Sequence, residues 1–229
     1  MQVQMKRRET FSIDGKSLFC SWSGGKDSCL SLYYAIQQGG LPKFLFTMLK
    51  EGGNISRSHG LPTSVLIKQA EQLNLPIVFN KASWNEYELK YSETLEELKK
   101  QGVSHGVFGD IDVEPHLEWC KRVCAGKDMI AFHPLWKRSR KELLEEFLDL
   151  GFKATIVATQ ADKLGREWLG KTIEKSTIKE FEDIGIDVCG ELGEYHTIVT
   201  DGPLFNSELV LKVNEAKLHD GHWFLEISV

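Results

Sequence analysis

The 229-residue chain has no apolar run near the roughly 20 residues a membrane-spanning helix needs. It also lacks any repeat, low-complexity tract or Pro- or Ser-rich linker. Basic residues are not in excess: 28 Lys and Arg stand against 33 Asp and Glu, a formal net charge of −5. A general basic surface for duplex nucleic acid is therefore not expected, a local basic groove stays open, and neither nucleic acid nor membrane is an expected partner. Cysteine is sparse and odd in number, five in all, at Cys20, Cys29, Cys120, Cys124 and Cys189. With no framework spacing they read as reduced thiols in a cytoplasmic protein. The first ten residues carry Lys6, Arg7 and Arg8 but none of the apolar stretch of a secretory signal. What is present, 41% hydrophobic and 27% charged residues, is the composition of a folded chain able to bury a sizeable core in one large domain or two small ones.

Strand-like runs alternate with helical periodicity over most of the chain. Strands are expected at 17–22, 44–49, 77–79, 106–110, 129–132 and 154–158. Helices are expected after 25 (with Cys29, Leu32, Tyr33 and Ile36 on one face), at 63–73, at 85–100, from Pro115, and from Ser139 to Leu150. Ser139 and Glu142 have capping-box spacing. Repeated βα units imply a doubly wound, mostly parallel sheet with its ligand at the carboxyl ends of the strands. Beyond residue 160 the pattern changes. A helix at 173–181 precedes a Gly- and Glu-dense stretch, and the alternation around Asp220-Gly221 predicts a terminal hairpin. The expected division is an α/β domain over 1–160 and a smaller α+β portion over 161–229 packed on it.

The first expected strand runs into Ser23-Gly24-Gly25-Lys26-Asp27-Ser28 and a helix follows at once. Paired glycines let backbone approach an anion, and the helix aims free N–H groups and its positive dipole end at the same point. Ser23 and Ser28 add hydroxyls and Lys26 a cation. Asp27 would repel phosphate unless it holds Mg²⁺, which bridges phosphate oxygens. Neither the Gly-x4-Gly-Lys-Ser/Thr spacing of a Walker A loop nor a Gly-x-Gly-x-x-Gly fingerprint occurs. Ser23 to Ser28 resembles the PP-loop of the N-type ATP pyrophosphatases, a Rossmann-like, adenine nucleotide alpha hydrolase type of fold. The resemblance implies ATP cleavage between the α and β phosphates, giving an adenylated substrate, AMP and pyrophosphate.

A second polar cluster reads Gly190-Glu191-Leu192-Gly193-Glu194-Tyr195-His196-Thr197 and leads into Asp201-Gly202-Pro203-Leu204-Phe205. By its chemistry it can hold a metal, position an amine or exchange protons, and a solvated acidic loop explains it about as well. These strings resemble the hallmark of the diphthine–ammonia ligase (diphthamide synthase) family. His133-Pro134-Leu135-Trp136 and Trp168-Leu169-Gly170 are similar to further segments of it. The resemblance implies an ATP-dependent ligase that adenylates a diphthine-like carboxylate, as on elongation factor 2, and lets ammonia displace AMP. Gly109-Asp110-Ile111 resembles bacterial members, organisms that do not make diphthamide, so the acceptor stays open. A PP-loop enzyme acting on a small molecule or tRNA, and a non-catalytic ATP or AMP sensor, are the alternatives. Homo-oligomerisation is also open.

These readings assign Ser23, Gly24, Gly25, Lys26, Asp27 and Ser28 to the phosphate grip, with Asp27 as the Mg²⁺ ligand. Thr47 and Met48 are expected to frame adenine through backbone groups. Gly109 and Asp110 stand at a strand end suited to ribose or a second metal. His59 is expected either at phosphate or acceptor or as a surface loop histidine, within a polar stretch 50–59 that suits a lid. Glu191, Gly193, Glu194, His196 and Thr197 are expected on the acceptor and ammonia side, with Lys26, Asp27, Glu191, Glu194 and His196 as catalytic groups. His116, Cys120 and Cys124 share a helical face at spacing compatible with zinc but read as a packed stripe. The tract Lys137 to Lys141 reads as a solvated helix start.

Overall fold

The computed structural model describes residues 12–229, so the expectation about the first ten residues lies outside the described residues. The chain runs β1 (Ser17–Ser21), α1 (Lys26–Gln37), β2 (Leu41–Leu49), α2 (Thr63–Gln72), β3 (Ile77–Lys81), α3 (Tyr87–Lys100), β4 (His105–Val107), α4 (Glu114–Ala125) and β5 (Ile130–Phe132). It continues through α5 (Arg140–Asp149), β6 (Lys153–Gln160), a 3-10 turn (Arg166–Trp168), α6 (Lys175–Ile184), β7 (Tyr195–Asp201), β8 (Lys212–His219) and β9 (His222–Ser228). The first five strands form one wholly parallel sheet in the order β3-β2-β1-β4-β5. The last four form an antiparallel sheet in the order β7-β6-β9-β8.

The parallel sheet is covered on both faces, as its strand sequences require. On one face Phe19, Phe46 and Phe108 pack with Tyr91, Leu95 and Leu98 of α3 and Val123 and Cys124 of α4. On the other, Leu18, Cys20, Leu45 and Val107 meet Cys29 and Leu32 of α1 and Val65 and Leu66 of α2. That second cluster continues without a break into Phe147, Ile156, Phe181, Ile198 and Val199, so the antiparallel sheet shares a core with the parallel one. Burial of this continuous apolar surface is what joins the two sheets into one body.

One sequence expectation is corrected. The strand predicted at 154–158 exists, but as β6 it pairs antiparallel with β7 and β9 and does not extend the parallel sheet. Its residues are buried over most of its length, and a strand buried on both faces has the same apolar run in either kind of sheet. A division at residue 160 therefore leaves β6 with the first portion, whereas the change of sheet comes between β5 and β6. Helix ends follow their local chemistry. Ser139 caps α5 by accepting from the Glu142 N–H at 3.4 Å, Glu174 and Thr177 form a capping box on α6, and Asp220-Gly221 turns the β8–β9 hairpin. No described helix is long and apolar enough to cross a membrane.

Candidate active site

In a 3-2-1-4-5 sheet the connections from β1 and β4 leave in opposite directions, and a crevice opens at that switch point. The loop after β1 is Trp22 to Gly25, and the segment after β4 is Phe108 to Asp110. Both wall a cleft of about 290 Å³, closed on its far side by Cys189 to Thr197. The fit at the switch point is tight. A Cβ on Gly109 would lie 3.0 Å from the Asp27 carbonyl carbon and the Ser28 nitrogen, so only glycine lets this segment approach the N-terminus of α1.

The Ser23–Ser28 loop is held from two sides. Within it, the Ser23 and Ser28 hydroxyls lie 3.0 Å apart and the Gly25 N–H donates to Ser23 Oγ at 3.2 Å. From across the cleft, β7 fastens it. The Lys26 N–H donates to Thr197 Oγ1 at 3.1 Å, and the Val199 N–H donates to the Gly24 carbonyl at 2.9 Å. Beneath it the fully buried Gln69 donates to the carbonyls of Gly24 (3.0 Å) and Val199 (2.7 Å) and accepts from Trp22 Nε1 (3.1 Å). Gln69 was not anticipated. Its one sequence signal is a polar side chain on the same face of α2 as Val65, Leu66 and Ala70.

Lys26 is 5% exposed. Its ammonium donates to Asp27 at 2.7 Å and to the Cys189 carbonyl, and stands 5.4 Å over the Tyr195 ring. Burial alone lowers its pKa, but the Asp27 carboxylate outweighs this and holds the group well above its ordinary value, so it stays charged. The two histidines behave differently. His59 is half-buried and lines the cleft. Its Nδ1 lies 2.9 Å from the Thr197 carbonyl, and its ring stacks on His196 at 4.6 Å between centroids. Burial pushes His59 down to about 4 and His196 well below its ordinary value, so both are neutral near pH 7. Gly25 must be glycine because a Cβ there would sit 2.4 Å from His59 Cε1.

Glu191 lines the cleft with a strongly displaced carboxyl. Burial, and then the negative charge of Asp27, push its carboxyl up to about 7. Its backbone is pinned by Asp187 Oδ2, which accepts the Glu191 N–H at 2.7 Å. Asp187 is in turn tied through Arg140 to Asp112 in the segment after β4, at 2.6 Å on each side. The rest of the basic tract is also spent within the molecule: Arg138 pairs with Glu146 at 2.5 Å and Lys141 with Glu182 at 2.7 Å.

Ser23, Lys26, Asp27, Ser28, His59, Gly109 and Asp110 thus line one cleft with Glu191, Gly193, His196 and Thr197. Five expected residues do not line it. Gly24 and Gly25 lie behind the loop, where the Gly24 carbonyl accepts from Val199 and the Gly25 N–H donates to Ser23. Thr47 donates its hydroxyl to the Trp22 carbonyl. Met48 packs beside Phe46 and Tyr91, and its carbonyl accepts the Arg57 N–H at 3.0 Å. Glu194 is turned under the Gly190–Gly193 turn, where its carboxylate accepts the Leu192 N–H at 3.1 Å and faces Lys163 at 3.6 Å. The stretch expected as a lid is folded down: residues 55–57 bridge to β2 and Pro62, and Arg57 stacks 4.5 Å from the exposed Trp84 ring.

Comparison with known proteins agrees with this layout. The diphthamide synthase N-terminal domain matches residues 16–130 and the diphthamide synthase C-terminal domain residues 139–228. The junction between them falls where the chain passes from one sheet to the other. The chain is 27% identical to the diphthine–ammonia ligase of Mus musculus over 90% of its length and 86% of that protein. It is 26% identical to that of Homo sapiens over the same shares. A predicted subunit of tRNA methyltransferase from Methanocaldococcus jannaschii superposes with a TM-score of 0.46 at 17% identity over 82% of this chain and 98% of that one, too remote to bear on function. With both of its domains matched in order and its cleft built from segments of each, the chain belongs to the diphthamide synthase family.

Proposed function

We propose that the protein is an ATP-dependent amide-forming ligase that adenylates a diphthine-like carboxylate and passes it to ammonia, releasing AMP and pyrophosphate. The observation that carries this reading is the direct bond from the Lys26 N–H to Thr197 Oγ1, which puts the phosphate loop and the Gly190–Thr197 segment in one cleft. A nucleotide gripped by the first is thereby presented to groups on the second.

The Ser23 and Ser28 hydroxyls and the N-terminus of α1 bind the phosphates, and Lys26 supplies a fixed positive charge beside them. The carboxylates fit Mg²⁺: Asp27 and Glu191 are near enough for the charge of one to raise the pKa of the other, and a cation relieves that repulsion. Asp27 would hold the ion together with phosphate oxygens. The ion would supply neutralisation of the charge that builds on departing pyrophosphate. Ammonia attacking the acyl carbon must lose a proton as the amide forms and AMP leaves. Glu191, poised near pH 7, accepts it. The neutral His59–His196 stack forms the acceptor-side wall as a hydrogen-bonding surface without added charge. The five free, buried thiols suit a cytoplasmic setting, and elongation factor 2 is the first acceptor to try.

Incubation with Mg²⁺-ATP, ammonium and candidate carboxylates tests the reading. Equimolar AMP and pyrophosphate, dependent on acceptor, is the expected result. ADP as product would overturn it, and tight ATP binding with no turnover on any acceptor would make the protein a sensor.

A further inference from the structure

One cluster of chemistry-bearing side chains lies at the edge of the cleft and has no part in the reaction described. Asp110, in the segment after β4, is met by Cys120 from α4 and by His133 from the end of β5. Cys120 Sγ lies 3.7 Å from Asp110 Oδ2 and His133 Nε2 lies 3.6 Å from the same oxygen. One donor atom from each of the three falls within 4.8 Å of the other two. His116 Nδ1 stands 3.3 Å from the other carboxylate oxygen.

Two features set this cluster apart from an ordinary polar contact. The His133 side chain is 4% exposed, aimed at Asp110, and its Nε2 makes no hydrogen bond among the described residues. A buried ring nitrogen without a partner is costly unless something else occupies its lone pair. Phe108 stacks on the ring at 5.1 Å and 15° and covers one of its faces. The spacings also match. Zinc–ligand bonds of about 2.0–2.3 Å at tetrahedral angles put neighbouring donors about 3.3–3.6 Å apart, close to the 3.6 and 3.7 Å found here.

We propose that Asp110, Cys120 and His133 form a three-ligand site for a zinc-type transition-metal ion at the edge of the nucleotide cleft. Binding replaces the Cys120 S–H bond by an S–metal bond and releases the proton to water. One carboxylate and one thiolate then cancel the charge of a divalent ion, so the loaded site is neutral, as its burial favours. A sulfur–nitrogen–oxygen donor set selects a borderline-soft ion over Mg²⁺. His116, on the opposite carboxylate oxygen, orients Asp110 from outside. Cys124, one turn on from Cys120, lies fully buried in the apolar cluster against α3 and is not a ligand. The zinc-compatible spacing read in the sequence thus holds for one cysteine, with its partners supplied by other elements.

The site is tested without nucleotide, so its failure leaves the ligase reading untouched. Protein stripped with chelator is titrated with Co²⁺, and metal content is measured after gel filtration. Expected are one bound ion per chain and a near-ultraviolet thiolate-to-cobalt charge-transfer band, retained in excess Mg²⁺. Cys120→Ser loses the band and weakens binding more than about 100-fold, while Cys124→Ala, checked for native circular dichroism, keeps it. No stoichiometric uptake by the wild-type chain overturns the proposal without reference to any variant. So does displacement by Mg²⁺, or a band that survives Cys120→Ser.

Discussion

Replacing Glu191 by Gln should make the protein more stable at alkaline pH while disabling it. The carboxyl is pushed from 4.5 up to about 7, first by burial and then by Asp27. Between these values the unfolded chain has lost the proton and the folded chain has kept it, so wild-type stability falls as pH rises through this window. A displacement of this size corresponds to about 3 kcal/mol at full effect. Because Glu191 is only half-buried, solvent screening reduces the expected difference to ~1–2 kcal/mol. For a chain of this length that is about 2–8 °C in Tm. Gln fills the same volume without the charge. Urea unfolding of both proteins at several pH values between 4 and 8 isolates the term, because titrations remote from the Glu191–Asp27 pair cancel in the difference between them. A Gln variant ~1–2 kcal/mol more stable at pH 8, with an advantage that is smaller at pH 5 and vanishes as pH falls below 4.5, is expected. Addition of Mg²⁺ at pH 8 should narrow the gap by stabilising the wild type. A difference that does not change with pH would refute the placement of Glu191 beside Asp27 in a desolvated cleft.

Three other perturbations probe the same architecture. Gln69→Leu leaves Trp22 Nε1 and the Val199 carbonyl without their partner. It should cost ~2–4 kcal/mol in urea unfolding, and a loss below ~1 kcal/mol sinks the clamp. Gly25→Ala drives a methyl into His59; ATP affinity measured by calorimetry should fall at least ~10-fold with ~2 kcal/mol of stability lost, and unchanged affinity counts against the loop geometry. Asp27→Asn should reduce AMP formation more than ~100-fold and, by leaving Lys26 buried beside an uncharged partner, lower Tm as well; turnover that persists removes Asp27 from the metal.

The parallel half of the fold was legible because each of its strands is a short apolar run between punctuated helices, and the alternation is long enough to exclude other arrangements. The sheet membership of β6 was not, since Ala154 to Ala158 carries no mark of whether its neighbours run with it or against it. In the site, contiguous strings were readable and distant contacts were not. Ser23 to Ser28 and Glu191 to Thr197 each display their chemistry in a few residues. Gln69 and Arg140 act on groups far along the chain; Gln69 is marked only by its place on the apolar face of α2, and nothing local distinguishes Arg140 from a surface residue. Glu194 shows the converse limit: it shares a motif with Glu191, but the turn at Gly190–Gly193 directs one carboxylate into the cleft and the other beneath the backbone. His59 was ambiguous from sequence because its burial is created by β7, which the sequence places 138 positions from it.

The bond from Lys26 to Thr197 joins positions 171 residues apart. A ribosome therefore displays the whole Ser23–Ser28 loop long before it makes the strand that braces it. The growing polypeptide carries this loop unfinished for most of its synthesis, without the strand that will cover one side of it. Any fragment that ends before β7 lacks the Thr197 and Val199 contacts, and its Ser23–Ser28 loop has no brace on that side.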